Sequence, residues 1–161
     1  LPGLSEVTAW LKQRKPSETR STVVHGDYKL DNVMFAPDAP AQLIAIFDWE
    51  MATIGDPLAD LGWLMHTWGK PDVVVEGDAL PLTAEEGFAT REELAARYAD
   101  RTGRTMDDFT FYHVMALWKM AIILEGLYVG YRTGTASNPA AAEFEFRVPR
   151  LIERARMLMA R

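Results

Sequence analysis

Apolar positions along the chain fall into five runs at helical spacing and three short runs of β-branched or aliphatic residues. Leu4 to Lys15 reads as an amphipathic helix with Val7, Trp10 and Leu11 on one face, Ser5 as its cap and Pro16 after its end. Thr22 to Val24 is rich in β-branched residues and predicts a short strand. His25 to Asn32 is polar and fits neither period. Val33 to Phe35 and Leu43 to Phe47 predict two more strands. The prolines and Asp of Ala36 to Gln42 make the turn between them. Such a hairpin carries the chain out and back, so Asn32 and Asp48 at its open ends should become neighbours.

The rest of the pattern is helical. Pro57 to Trp68 predicts a helix with Asp56 as N-cap and Pro57 in its first turn. Lys70 to Leu82 shows no period and reads as a loop. Thr90 and Glu93 form a capping-box pair before a helix that reaches about Thr102, where Gly103 stops it. Asp107 or Asp108 caps the next helix, which runs to about Tyr131. That helix is apolar nearly all round and is expected to be buried. A last helix fits Ala140 to Ala160, with Pro149 expected to kink or split it. Helix, short strands and then mostly helix imply an α+β arrangement, a mainly helical lobe carrying a small hairpin.

Composition adds bounds. The 161 residues are 48% hydrophobic and 25% charged, with five Trp, five Tyr and seven Phe, enough for one core. A net charge of −6 without a basic patch argues against a nucleic-acid partner. The absence of cysteine excludes disulfides and thiolate–metal sites. Val114 to Val129 comes nearest to a membrane span, but Lys119 and Glu125 interrupt it, so no membrane partner is expected. No signal-peptide pattern opens the chain. It begins with Leu1 rather than Met, as a processed or truncated chain would.

The chemistry gathers in His25-Gly26-Asp27-Tyr28-Lys29-Leu30-Asp31-Asn32 and in Asp48-Trp49-Glu50. Phosphoryl transfer asks a protein for placement and charge: an acceptor hydroxyl held in line and relieved of its proton, and a cation on the phosphate oxygens. Asp27, five residues before an amide on a loop, suits the proton. Asn32 offers a neutral oxygen and Asp48 a charged one, a small set of hard ligands that suits magnesium completed by phosphates and water.

These residues resemble the catalytic loop of the protein-kinase-like superfamily, with Asp48 matching the Asp of its magnesium-binding motif. Gly26 after His25, and Asp-Trp-Glu in place of Asp-Phe-Gly, are closer to the aminoglycoside phosphotransferase family. Ile54-Gly55-Asp56-Pro57-Leu58-Ala59-Asp60-Leu61 resembles the helix that follows the metal motif in that family. Phe111 to Gly134 resembles its branch associated with acyl-CoA dehydrogenases. The resemblance implies the C-terminal, catalytic lobe of an ATP- and magnesium-dependent kinase acting on a small-molecule hydroxyl in the cytoplasm. It implies Asp27 as base, Asn32 and Asp48 as ligands of magnesium and its nucleotide, His25 as a brace of the loop, and Asp60 as a hydrogen-bond partner of the loop backbone. Lys29 stands where some protein kinases place a Lys near the γ-phosphate. The chain departs from the family in having no Gly-rich loop and no paired Lys and Glu ahead of His25, where only 24 residues stand. The nucleotide-binding lobe is therefore expected as a missing partner from the same protein, of roughly twice this length.

Blander roles compete at several positions. Asp31 suits a turn. Glu50 could face substrate, support the site or lie on the surface. His66 and His113 suit packed histidines, and their spacing does not suit zinc. Lys119 and Glu125 could line a pocket or pair with other helices, and pairing is the expectation. Trp63, Trp68, Trp118 and Tyr128 suit the core or the border of a cleft. A non-catalytic kinase-like binding module and a metal-dependent phosphohydrolase are the rival functions. The complete trio Asp27, Asn32 and Asp48 favours the kinase over the first, the missing nucleotide-binding lobe favours the inactive module for this lobe taken alone, and the sparse acidic residues favour the kinase over the second.

Overall fold

The structure, a computed structural model, describes residues 1–17, 20–70, 72 and 80–160. Helix α1 (Leu4–Gln13) leads into strand β1 (Thr22–Val24). A one-turn 3-10 helix, Leu30–Asn32, precedes β2 (Val33–Phe35), which pairs antiparallel with β3 (Leu43–Ile46). A second 3-10 turn, Trp49–Met51, leads to β4 (Thr53–Gly55), which pairs antiparallel with β1. The sheets are thus two separate ladders, β1–β4 and β2–β3. Helices α2 (Leu58–Thr67), α3 (Arg91–Thr102), α4 (Phe109–Arg132) and α5 (Phe144–Met159) complete the lobe. This is the expected α+β architecture with a helical body and a small hairpin.

Strand β4 was not legible in the sequence. Three residues carry no readable period, and its pairing with β1, Val23 opposite Ile54, encloses residues 25–52. The cap of α1 is Gly3 at φ 79°, not Ser5. Pro149 does not split α5. It lies inside one continuous helix, and the 3-10 turn Pro139–Glu143 forms the separate piece instead. Thr90 and Glu93 do close a capping box, and Gly103 ends α3 at φ 66°. Most of the loop read over Lys70 to Leu82 lies outside the described residues.

Helix α4 is the spine, packed chiefly against α5 and α2. Val114, Leu117 and Ala121 meet Val7, Val148, Leu151, Ile152 and Ala155 in one core, and Leu58, Leu61, Met65 and Tyr112 form a second. Burying a Leu or Ile side chain here contributes about 1.5–3 kcal/mol. The expectation that α4 is buried all round fails in its second half. Ile122, Leu127 and Val129 are 40–49% exposed, because the partners α2 and α5 cover the other side. By length and mean hydropathy α4 also matches a membrane span, but its first half is the packing centre of the lobe.

Two buried carboxylates tie the helices together. Asp56 is more than a cap: it accepts from Leu58 N at 2.9 Å, from Arg20 N at 3.1 Å, and from both Nη atoms of Arg104 at 2.8 and 2.9 Å. Asp72, 1% exposed in its side chain, meets His113 Nε2 at 2.7 Å, Arg91 Nη1 at 3.1 Å, Arg154 Nε at 3.2 Å and His66 Nδ1 at 3.5 Å. It thereby touches α2, α3, α4 and α5 at once. Burial pushes both carboxyls up, but these donors outweigh it and hold both below the usual carboxylate range.

Two outcomes follow. A Cβ at Gly62 would sit 2.6 Å from the Tyr112 carbonyl oxygen, so Gly62→Ala forces α2 away from α4 and costs about 1–3 kcal/mol, read from the urea midpoint. The depressed carboxyls of Asp56 and Asp72 stabilise the fold fully above about pH 4, the ordinary value in the unfolded chain, and that contribution is lost as pH falls through their lower folded values. Acid titration followed by circular dichroism should show stability declining only below about pH 4, and Asp72→Asn should flatten that decline.

Candidate active site

Strand β1 ends at buried Val24 and delivers His25, which is 3% exposed. Gly26 follows at φ 85°, and a Cβ there would lie 2.6 Å from the Met51 carbonyl oxygen. Glycine is thus required both for the backbone angle and for the close approach. Asp60, in the first turn of α2, accepts from His25 N at 2.7 Å and from Gly26 N at 2.8 Å. One carboxylate thus satisfies two loop N–H groups that no ladder reaches.

His25 joins this loop to the segment after β3. Asp27 N donates to His25 Nδ1 at 3.2 Å, which leaves the ring proton on Nε2, and Nε2 donates to the Phe47 carbonyl oxygen at 2.6 Å. On its other side the Phe47 N–H donates to the Asn32 carbonyl oxygen at 2.8 Å. The backbone of Phe47 is therefore held from both directions, and it stands opposite Asn32 at the hairpin mouth, with Asp48 the next residue along the chain. Trp49 packs on the His25 ring at 4.7 Å between centroids.

Asp48 itself sits at φ 63°, ψ 55°, the one non-glycine with positive φ among the described residues. That conformation costs about 1–2 kcal/mol for such a residue, and strained backbone of this kind collects at functional sites. Its carboxylate is exposed and has no ion pair or hydrogen bond among the described residues.

Asp27 is the best-held side chain of the loop. Its Oδ2 accepts from Asn32 Nδ2 and from Lys29 Nζ, both at 2.9 Å, and its Oδ1 accepts from Trp63 Nε1 at 2.7 Å. Asn32 Nδ2 also donates to the Asp27 carbonyl oxygen at 2.8 Å. With two acceptors around that nitrogen, the Asn32 amide is oriented, and its Oδ1 is the atom left for a ligand. Burial pushes the Asp27 carboxyl up, but the hydrogen bonds from Lys29, Asn32 and Trp63 and the Lys29 charge bring it below its ordinary value.

The structure therefore brings His25, Asp27, Lys29, Asn32 and Asp60 into one hydrogen-bonded unit with Asp48 at its rim. Asp31 and Glu50 stand exposed in the two 3-10 turns. Sequence reading missed two residues of the unit. Trp63 was read as core or cleft border, yet it lies one turn beyond Asp60 on the same face of α2, a spacing that could have placed it under the loop. Lys119 was expected to pair with another helix. It does so, with its ammonium 4.5 Å from the centre of the Trp63 ring of α2, and that ammonium also donates to the Gly26 carbonyl oxygen. Glu125 makes no ion pair among the described residues.

Similarity to known proteins agrees with this geometry. Residues 1–112 match the family model described as APH, phosphotransferase enzyme family. The chain is 32% identical over 146 residues, 89% of its length, to acyl-CoA dehydrogenase family member 10 of Mus musculus, and 31% identical over 160 residues to family member 11 of Gallus gallus. It spans 14% and 20% of those two proteins. Among solved structures, a candidate aminoglycoside phosphotransferase from Ralstonia eutropha JMP134 superimposes with a TM-score of 0.82 at 30% identity, over 99% of this chain and 49% of that one. The aminoglycoside phosphotransferase APH(4)-Ia shares the fold, with a TM-score of 0.53 at 15% identity. The matched family model, which covers more than half of the chain, and relatives above 30% identity establish that this chain belongs to the phosphotransferase enzyme family.

Proposed function

We propose that the chain is the catalytic half of a kinase that moves the γ-phosphoryl group of ATP to a hydroxyl of a small molecule, with magnesium. The observation that best supports this reading is the backbone of Phe47, whose N–H bonds Asn32 and whose carbonyl bonds His25, tying the loop of the oriented Asp27 to the strand end that leads into Asp48.

The donor set fits magnesium. Asn32 Oδ1 and the Asp48 carboxylate are hard oxygens, and no group of three or more His, Asp or Glu among the described residues could hold a metal by itself. Magnesium commonly takes one or two carboxylates plus substrate phosphates. When bound, it supplies positive charge to the phosphate oxygens. Asn32 and Asp48 would hold it.

Asp27 would accept a hydrogen bond from the acceptor hydroxyl and take its proton as the new O–P bond forms and the bond to the ADP oxygen breaks. A carboxyl held below its ordinary value is a weak base, so the proton moves late and the main work of Asp27 is to orient the hydroxyl. Lys29, 2.9 Å from Asp27, would turn toward the transferred group once the hydroxyl occupies the base.

Exposed apolar side chains ring the hairpin: Met34, Phe35, Ile44, Phe47, Trp49 and Met51 are 41–56% exposed. A patch of this kind suits a packing partner, and a nucleotide-binding lobe supplied by the rest of the protein is the partner this reading calls for. For the acceptor, a cavity of about 260 Å³ begins at His66, one helical turn beyond Trp63, and is lined by Met120, Leu124, Phe144 and Arg147 among others. It holds basic and apolar groups and no carboxylate, which suits a hydroxyacyl metabolite better than a polycationic aminoglycoside. The acyl-CoA dehydrogenase names of the relatives point the same way.

In the protein bearing both lobes, Asp27→Ala should lower phosphoryl transfer by about 10²–10⁴-fold with the fold intact by circular dichroism, read as ADP release in the presence of magnesium and a panel of hydroxylated metabolites. Transfer at the wild-type rate would refute the assignment.

A further inference from the structure

We propose that Trp63 and Lys119 form a positioning relay that holds Asp27 from the helical body. The inference rests on the reading of Asp27 as the base and names residues which that reading does not contain.

Two of the three donors to the Asp27 carboxylate, Lys29 and Asn32, belong to its own loop and both serve Oδ2. Trp63 alone among the described donors reaches it from another element, and it serves Oδ1. With one donor on each side, the carboxylate plane is fixed. If Lys29 turns away toward a phosphoryl group, Trp63 and Asn32 still hold the plane in place. The Trp63 side chain is buried, 5% exposed, so its position is set by the packing of α2 and not by solvent.

Lys119 secures this arrangement at two points. Its ammonium lies over the Trp63 ring, a cation–π contact that strengthens when water is excluded. The same ammonium donates to the carbonyl of Gly26, the peptide immediately before Asp27. One side chain of α4 thus grips both the donor to Asp27 and the backbone that carries Asp27. Burial pushes the Lys119 ammonium down, and the charges of Asp27 and Asp60 oppose that. A cation left there despite its desolvation is an uneconomical way to fill a core, and an apolar side chain of that length would pack as well. The groups facing Asp27 are Lys29 and Asn32 of the loop and Trp63 of α2, with Lys119 of α4 and Asp60 behind.

The test uses the two-lobed protein. Trp63→Phe keeps most of the ring and removes the donor. It should lower kcat about tenfold, the loss of one hydrogen bond to a charged group, with KM for ATP unchanged. Lys119→Met should act in the same direction and Lys119→Arg should restore part of the rate. Should Trp63→Phe fold poorly, the pair at position 119 decides: Lys119→Arg should turn over faster than Lys119→Met. Wild-type kcat in Trp63→Phe, or equal rates in Lys119→Met and Lys119→Arg, would overturn the relay. If Asp27→Ala is inactive while Trp63→Phe behaves as wild type, the relay alone falls. If Asp27→Ala retains activity, the assignment of the base falls with it.

Discussion

Everything at this site depends on the peptide of Phe47. Its N–H is bound by the Asn32 carbonyl and its C=O by His25 Nε2. The first bond extends the β2–β3 ladder by one step, and the second crosses to the loop after β1. Two pieces of chain that are otherwise separate ladders are thereby set in one register. Asp48 follows directly and cannot drift from Asn32 without breaking one of those bonds. His25 performs this bracing with a fixed tautomer, because Asp27 N already occupies Nδ1.

The supporting interactions form a hierarchy of loop, helix and body. Asp60 holds the two N–H groups of His25 and Gly26, and so fixes where the loop begins. Gly26 allows the loop to pass against Met51 where any side chain would collide. Asp56 fixes the start of α2 through Arg104, and Asp72 draws α2, α3, α4 and α5 onto one carboxylate. Against these restraints stands the left-handed backbone of Asp48. That strain of about 1–2 kcal/mol is comparable to one or two net hydrogen bonds, and the two bonds on Phe47 match it.

Much of this was legible in the sequence because it is local. The capping box of Thr90 and Glu93, the hairpin strands and the spacing from His25 to Asn32 are each written within a few residues. The resemblance carried by that spacing and by Asp48 pointed to the right family and lobe. What stayed hidden is long-range. Strand β4 is three residues long and exists only because β1 lies beside it. Asp72 sits in a loop without period, and nothing nearby signals that cations from Arg91 and Arg154 converge on it. Lys119 advertised itself as a charge in an apolar helix, and it does meet Trp63 of another helix, but its second partner is a backbone carbonyl 93 positions away, which side-chain pairing rules do not anticipate. Pro149 and the exposed half of α4 misled for the same reason: neighbouring elements, not local propensity, decide what a helix tolerates and which face it buries.

The central claim is that the oxygens of Asn32 and Asp48 share one divalent ion beside the Asp27 carboxylate. The most direct test is a crystal structure of the two-lobed protein with Mn²⁺ and a non-hydrolysable ATP analogue, with the ion located by its anomalous signal. The account predicts a peak roughly 2.0–2.3 Å from Asn32 Oδ1 and from an Asp48 carboxylate oxygen, with the terminal phosphate facing Asp27. An ion bound by other side chains, with Asn32 and Asp48 left unliganded, would contradict it.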